Sequence, residues 1–435
     1  MRQMRVRVGK SRPENLAAWK NEIGMKTPIL SILVMVLVLS SILTGCSDSS
    51  ATFDAGLDAA QDAGLDAAQD AGLDAAQDAG LDADHDGGAE CQDGPPIHCL
   101  LQELTASSVN PDYSQGKAIG LVVGVATPSS RYVTGFGATT LRGSTPPGAD
   151  SIYEIGSVTK VYSGYLLARG IDRNEVALTD SLEDTFGLNV PTGTQRSISL
   201  LDLATHTSGL ENFPDNVLYP GDINPARNYT VALLEEYLST ATLLHEPGTT
   251  YAYSNLGSGI LGYIAVTASG EVTFDALVHR EICEPFGLVD TTTVLDTSQL
   301  LRKAMGYSSG AEAPPVDIGE PLHGGGMLRS TGDEVLRFFE GALSGTDPAW
   351  TLVITPYRDS PNGVDAKTGL LINIEDPEGK AYYSKNGGVP GFSSQVVFTL
   401  NPPAVVVLLS NTANTQGLYS LAKTILAELE TFPDF

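Results

Sequence analysis

The sequence is short of positive charge. Its 435 residues carry 25 Lys+Arg against 52 Asp+Glu, a formal net charge of −27. A basic surface supplies most of the affinity of a general nucleic-acid binder, so that class is excluded. Long apolar runs are also scarce. The run from Ile29 to Leu43 is short of the ~20 residues that cross a bilayer as a helix, which argues against a transmembrane anchor. Cysteine is rare, with four in all. Cys283, in "EICEPFGL", reads as a buried small apolar residue rather than a reactive thiol. What is present is apolar content of 42%, enough for a buried core, in a length that allows one large enzyme domain with appendages or two domains.

The apolar run has a second reading. Lys26 precedes it and small residues follow before Cys46, the layout of a secretory signal of the lipoprotein type. The "LTGC" ending resembles the bacterial lipobox, which implies a lipid on Cys46 and removal of residues 1–45. The stretch before Met25 adds nothing that a signal needs, so Met25 is the expected start. The partner on this reading is a membrane, reached through the lipid anchor. Ser47 lacks the aspartate that signals inner-membrane retention, so the cell envelope and its outer membrane are favoured. In an exported segment disulfides persist, and Cys91 and Cys99 lie close enough in the chain to be candidates for one.

Residues 46–99 read as a tether. "DAGLDAAQ" starts at Asp54, Asp62 and Asp70, with an altered copy at Asp78. A helix turns about 800° in eight residues, so the leucines of successive copies drift by roughly 80° and form no apolar stripe. Each copy also carries a glycine, and the segment is expected to be a flexible acidic linker spanning roughly 35–40 Å. At its end Asp82, Asp84, Asp86, Gly87 and Asp93 match the spacing of a calcium loop. Aspartates already recur every four residues here and no flanking helices are evident, so the periodicity explains the match better.

From 100 to 435 the composition is globular. "AIGLVVGVAT" at 118–127 and "SRYVTGFGATT" read as a hairpin. "AYYSKNGG", "SSQVVFTL" and "AVVVLLSNT" are strand candidates near the other end, and "NTQGLYSLAKTILAELETF" has helical spacing. The expected fold is α/β (α+β): one antiparallel sheet built from both chain ends, flanked by helices, with an inserted helical subdomain.

Within "YEIGSVTKVY", Ser157 follows Gly156 at the start of an expected helix. Lys160 lies one turn on, on the same face, where desolvation or a nearby cation could make it a base. A hydrolase also needs a proton shuttle and donors for an oxyanion. "YAYSNLG" offers Tyr253 and Asn255; "YYSKNGGVPGFSS" offers Lys385 and Gly387 on a strand, with the N–H of Gly388. The same spacing at Ser420 and Lys423 lies in the last amphipathic helix without a third partner and reads as a solvated face. Gly306 to Gly310 match G-x-S-x-G, but the prolines of "AEAPPVD" deny the helix that Ser308 would need as a nucleophile. His206 and His323 read as structural histidines.

In order, the chain reads S-x-x-K, Y-x-N, K-x-G. With the flanks "ISLLDLATHTSGL", "HGGGMLRSTGDEVLRF" and "KNGGVPGFSS", residues 101–430 resemble the serine β-lactamase and penicillin-recognising D-Ala-D-Ala carboxypeptidase family, in the branch of class C β-lactamases and related esterases. The resemblance implies a β-lactamase/transpeptidase-like fold and acyl-enzyme chemistry. It implies Ser157 as nucleophile, Lys160 as its partner and Tyr253 as general base and acid. Asn255 would bond the lysine and the substrate amide, and Lys385 a substrate carboxylate. The N–H groups of Ser157 and Gly388 would form the oxyanion hole. No cofactor or metal is called for, and a monomer acting on a small molecule or a peptidoglycan peptide is expected. Two features depart from a uniform pattern. Lys385 stands where many peptidase and esterase relatives carry His, and Asn386 where Thr is usual.

Overall fold

The computed structural model describes residues 94–432 apart from 187–189, 192, 194, 218–223, 225 and 364. The signal, Cys46, the repeats, the candidate calcium aspartates Asp82, Asp84, Asp86 and Asp93, and Cys91 lie outside the described residues. Cys99 is disulfide-bonded, and Cys283 is a buried free thiol. Its burial pushes the Cys283 thiol up to about 12, far from a reactive thiolate.

The strands in chain order are β1 (Gly120–Ala126), β2 (Arg131–Gly137), β3 (Ile152–Glu154), β4 (Tyr307–Ser308), β5 (Ala311–Glu312), β6 (Arg329–Thr331), β7 (Arg358–Asp359), β8 (Lys367–Thr368), β9 (Asn373–Glu375), β10 (Tyr382–Val389), β11 (Phe392–Leu400) and β12 (Pro403–Ser410). Eight of them form one sheet in the order β2-β1-β12-β11-β10-β9-β8-β7. The ends of the domain meet where β1 pairs antiparallel with β12, from Leu121 opposite Ser410 to Ala126 opposite Val405. The sheet built from both termini is thus observed. The hairpin read at 118–137 is β1–β2, with Leu121 opposite Phe136.

Both faces of this sheet are covered, which explains why its central strands are apolar without interruption. Side chains alternate across a strand. Leu121, Val123, Val125, Val406 and Leu408 face a core closed by the terminal helices Pro96–Thr105 and Leu418–Leu429. Val122, Ala126, Val405, Val407 and Leu409 face the larger core shared with the helices between the strands. The first helix starts at Pro96, ahead of the boundary expected at residue 100, and buries Ile97 and Leu101. In the last helix Ser420 is exposed, and Lys423 lies over the Tyr419 ring at 4.3 Å.

One helix is buried on nearly every side. In Thr159–Asp172 every residue from Thr159 to Ala168 is buried. Gly164 permits this: a methyl there would lie 2.2 Å from the Leu370 carbonyl oxygen. Against its first half stands an aromatic cluster centred on Phe338. Its ring lies 4.1 Å from Tyr162, 4.9 Å from Trp350, 5.2 Å from Phe339 and 5.4 Å from Tyr165. The second long helix, Asn255–Ser269, begins at Ser254, whose Oγ accepts the Gly257 N–H, and ends at Gly270 with φ 74°. Gly259 and Gly262 let the 3₁₀ turn Glu320–Gly325 press against it; methyls there would fall 2.8 Å from Leu322 Cα and 2.9 Å from Gly324 Cα.

The G-x-S-x-G stretch is a hairpin. Tyr307 pairs with Glu312 and Ser308 with Ala311. Ser309 and Gly310 between them both have positive φ, 49° and 79°, as a tight hairpin turn needs. No helix follows, and Ser308 is not an elbow nucleophile.

Phe338→Ala is expected to cost about 3–5 kcal/mol, the usual range for a large aromatic lost from a packed core. Urea unfolding followed by near-ultraviolet circular dichroism measures it; a loss under about 1 kcal/mol would mean that the cluster does not hold this layer together.

Candidate active site

The Ser157 turn is made by Gly156, whose φ of +49° suits glycine and sharply redirects the chain after β3. Ser157 sits in the 3₁₀ turn Gly156–Val158, which runs straight into the buried helix. Lys160 follows one turn later, and its Nζ donates to Ser157 Oγ at 2.9 Å. The same ammonium donates to Asn255 Oδ1 at 2.6 Å and to the Gly325 carbonyl. An ammonium has three donors and no acceptor, so these contacts match its full valence. Lys160 is fully buried, at 0% exposure, and a buried charge without such partners would be very costly.

Tyr253 and Asn255 flank Ser254, the residue that caps the second helix. That cap sends one side chain to each side of the serine. Tyr253 OH donates to Ser157 Oγ at 2.7 Å. Asn255 is oriented by Asn212, whose Oδ1 accepts both the Asn255 backbone N–H and its Nδ2, each at 3.0 Å. This leaves Asn255 Oδ1 for Lys160.

The opposite wall is β10. Lys385 is buried, with its Nζ 5.0 Å from the centre of the Tyr253 ring; Lys160 Nζ lies 4.9 Å from the same centre. Both ammonium groups thus face the same phenol ring. Gly387 and Gly388 face the serine turn at close range. A methyl on Gly387 would lie 2.2 Å from the Ile155 carbonyl and 3.0 Å from Ser157 N, and a methyl on Gly156 2.9 Å from Gly388 N. Ser394, opposite Gly387 on β11, ties the two walls by donating from Oγ to the Ile155 carbonyl at 2.8 Å. The backbone nitrogens of Ser157 and Gly388 are thereby brought beside the nucleophile candidate.

All seven residues singled out in the sequence converge on one place: Ser157, Lys160, Tyr253, Asn255, Lys385, Gly387 and Gly388. Sequence reading missed Asn212, Ser394 and the Gly325 carbonyl. A lone asparagine in "SGLENF" carries no motif, and a backbone carbonyl has no sequence signal at all. It also understated His206, which is buried with its ring 4.6 Å from that of Tyr253. His323 accords with the structural reading, bonding through Nε2 to the Ile318 carbonyl at 2.8 Å. Among the described residues no group of three or more His, Cys, Asp or Glu is placed to hold a metal ion.

Burial, then the charges of Lys385 and Lys160, hold the His206 imidazole well below its usual 6.5. The folded chain keeps it neutral, while the unfolded chain takes up a proton once pH falls below about 6.5. His206 should therefore cost stability on acidification, by at most about 1.4 kcal/mol per pH unit. Urea titrations between about pH 6.5 and 5 should show a shallower loss in His206→Asn than in the parent; equal slopes would mean that His206 is not held neutral. Gly387→Ala should cut acylation about 100-fold or more, by driving β10 off the serine turn and displacing the Gly388 N–H. Stopped-flow acylation of the folded variant checks this, and a parent-like rate would disprove the close approach.

Comparison with known proteins gives the family. A sequence model of the Beta-lactamase family matches residues 99–430. The D-alanyl-D-alanine-carboxypeptidase/endopeptidase AmpH of Escherichia coli (strain K12) is 32% identical over 300 residues, 64% of this chain and 76% of that protein. A Beta-lactamase of Lysobacter lactamgenus is 23% identical over 351 residues, 71% of this chain and 86% of that protein. In fold, the crystal structure of a Beta-lactamase/D-alanine carboxypeptidase from Yersinia pestis, complexed with citrate, superposes with a TM-score of 0.65 at 22% identity, covering 77% of this chain and 99% of that one. With Lys160 and Tyr253 each within hydrogen-bond reach of Ser157 and the family match spanning the whole sheet, the chain belongs to the beta-lactamase family of serine hydrolases.

Proposed function

We propose that this enzyme is a D-Ala-D-Ala carboxypeptidase-like hydrolase of cell-wall peptides, working through an acyl-enzyme on Ser157. The observation that carries the mechanism is the placement of Ser157 Oγ between Lys160 Nζ at 2.9 Å and Tyr253 OH at 2.7 Å. Tyr253, as phenolate beside two ammonium groups, takes the Ser157 proton while Oγ attacks the substrate carbonyl. The N–H groups of Ser157 and Gly388 stabilise the oxyanion. Tyr253 then returns the proton to the leaving amine as the C–N bond breaks. Water attacks the resulting ester, Tyr253 accepts its proton, and Ser157 leaves with that proton. Lys160 stays an ammonium throughout, held by Asn255 and Gly325, and keeps Oγ oriented. Lys385 receives the substrate carboxylate.

Support for the peptidase substrate comes from the 32% identity to a named carboxypeptidase/endopeptidase, against 23% to named β-lactamases. The second reading is a β-lactamase, favoured by Lys385 at the position where true β-lactamases commonly carry lysine. It differs only in how fast water reaches the acyl-enzyme. A small-ester esterase would use the same steps. An idle binding module is disfavoured by the intact Ser157, Lys160 and Tyr253. We place the enzyme in the cell envelope, lipid-anchored at Cys46 and held off the membrane by the acidic repeat tether.

The test is intact mass and in-gel fluorescence of the full chain over time with a fluorescent penicillin, with Ser157→Ala beside it. A long-lived adduct, lost in Ser157→Ala, is the expected result. Rapid hydrolysis of the probe without a lasting adduct, again dependent on Ser157, would replace the peptidase by a β-lactamase. Neither adduct nor turnover, and no hydrolysis of aryl esters, would rule out the acyl-enzyme reading.

A further inference from the structure

Tyr253 sits on backbone that belongs to no strand or helix, since residues 251–254 run irregularly into the helix cap. A catalytic phenol on such a segment needs something to hold it, because a displacement of about 1 Å in a reacting group can cost 100-fold in rate. The neighbours of Tyr253 on both sides are held by one residue. The Ala252 N–H donates to the His206 carbonyl at 2.7 Å. The Ser254 N–H donates to His206 Nδ1 at 3.3 Å. Between these two bonds the imidazole ring lies against the Tyr253 ring, with centroids 4.6 Å apart and planes 38° apart.

His206 is itself well fixed. It is 4% exposed and its backbone is left-handed, at φ 55°, just past the short helix Leu200–Ala204. Tyr251 packs edge-on against the imidazole at 5.7 Å and accepts a hydrogen bond from Asn362 Nδ2 at 3.0 Å. A histidine that merely filled the core could be replaced by any ring. This one also supplies an acceptor at Nδ1, which only an imidazole with its proton on Nε2 can do. The titratable groups facing it are Lys160, Lys385, Tyr251 and Tyr253, and the two lysine cations oppose a second proton on the ring.

The geometry points to His206 as the positioning residue of Tyr253: it braces the backbone on both sides of the general base and its ring face, backed by Tyr251, fixes the direction of the phenol toward Ser157. This rests on the reading of Tyr253 as the base. His206 touches no reacting atom, and its effect passes through Tyr253 alone.

A double-mutant cycle on the full chain tests it, with the acylation rate constant and the dissociation constant of a penicillin read separately by stopped flow. His206→Asn is the informative variant. Asparagine adopts the left-handed conformation readily and keeps an acceptor near the position of Nδ1, but presents no ring. Acylation should fall about 10–100-fold with the dissociation constant unchanged. In a Tyr253→Phe background the same change should have no further effect, because the hydroxyl it aims is gone. Tyr251→Ala, which leaves the backbone bonds of His206 intact, is measured beside it in case His206→Asn does not fold. It should slow acylation about 3–10-fold, again only when Tyr253 is present. An equal drop in both backgrounds, or no drop in either variant, overturns the proposal. Tyr253→Phe alone separates the two levels: parent-like acylation in that variant would sink the base assignment, and this inference with it.

Discussion

The buried ammonium of Lys160 is the constraint on which the rest of the site depends. A cation with no access to water must find three acceptors, and it takes them from three separate elements: Ser157 at the start of its own helix, Asn255 at the start of another, and a carbonyl of the Glu320–Gly325 turn. Meeting that demand fixes the two helices and the turn relative to one another. Catalytic alignment is then a by-product of satisfying a buried charge. The glycines follow from the same demand, since Gly259 and Gly262 bring the turn close enough for its carbonyl to reach the lysine.

The sheet supplies the other wall. Because β1 and β12 pair, the chain ends are stitched within the sheet, and β10 lies two strands beyond β12. Strand alternation puts Lys385 and Gly387 on one face of β10. The bond from Ser394 Oγ to the Ile155 carbonyl sets the gap between β10 and the serine turn. A site built between a sheet strand and a helix start has a rigid half on each side, as acyl transfer requires of groups that must not reorganise during reaction.

Much of the fold was legible. The unbroken apolar strands, the hairpin at 118–137 and the terminal amphipathic helix follow from local pattern. So does the rejection of Ser420 and of Ser308, which lack a buried partner and a following helix. Part of what remained hidden lies in irregular backbone. Asn212 and His206 stand in loops without periodicity, and their partners are 43 and 48 residues away in the chain.

By itself the sequence determined the local chemistry: a serine one helical turn before a lysine, a tyrosine and an asparagine on either side of a cap, and glycines where no side chain fits. These are short-range facts, set by 3.6 residues per turn, by alternation and by sterics. Only the tertiary structure decided that they form one site. Ser157 meets Tyr253 across 96 residues, and Lys160 meets Gly325 across 165. No local rule reaches so far. Those contacts exist because burying two faces of one sheet and one charged lysine leaves the chain few other ways to close.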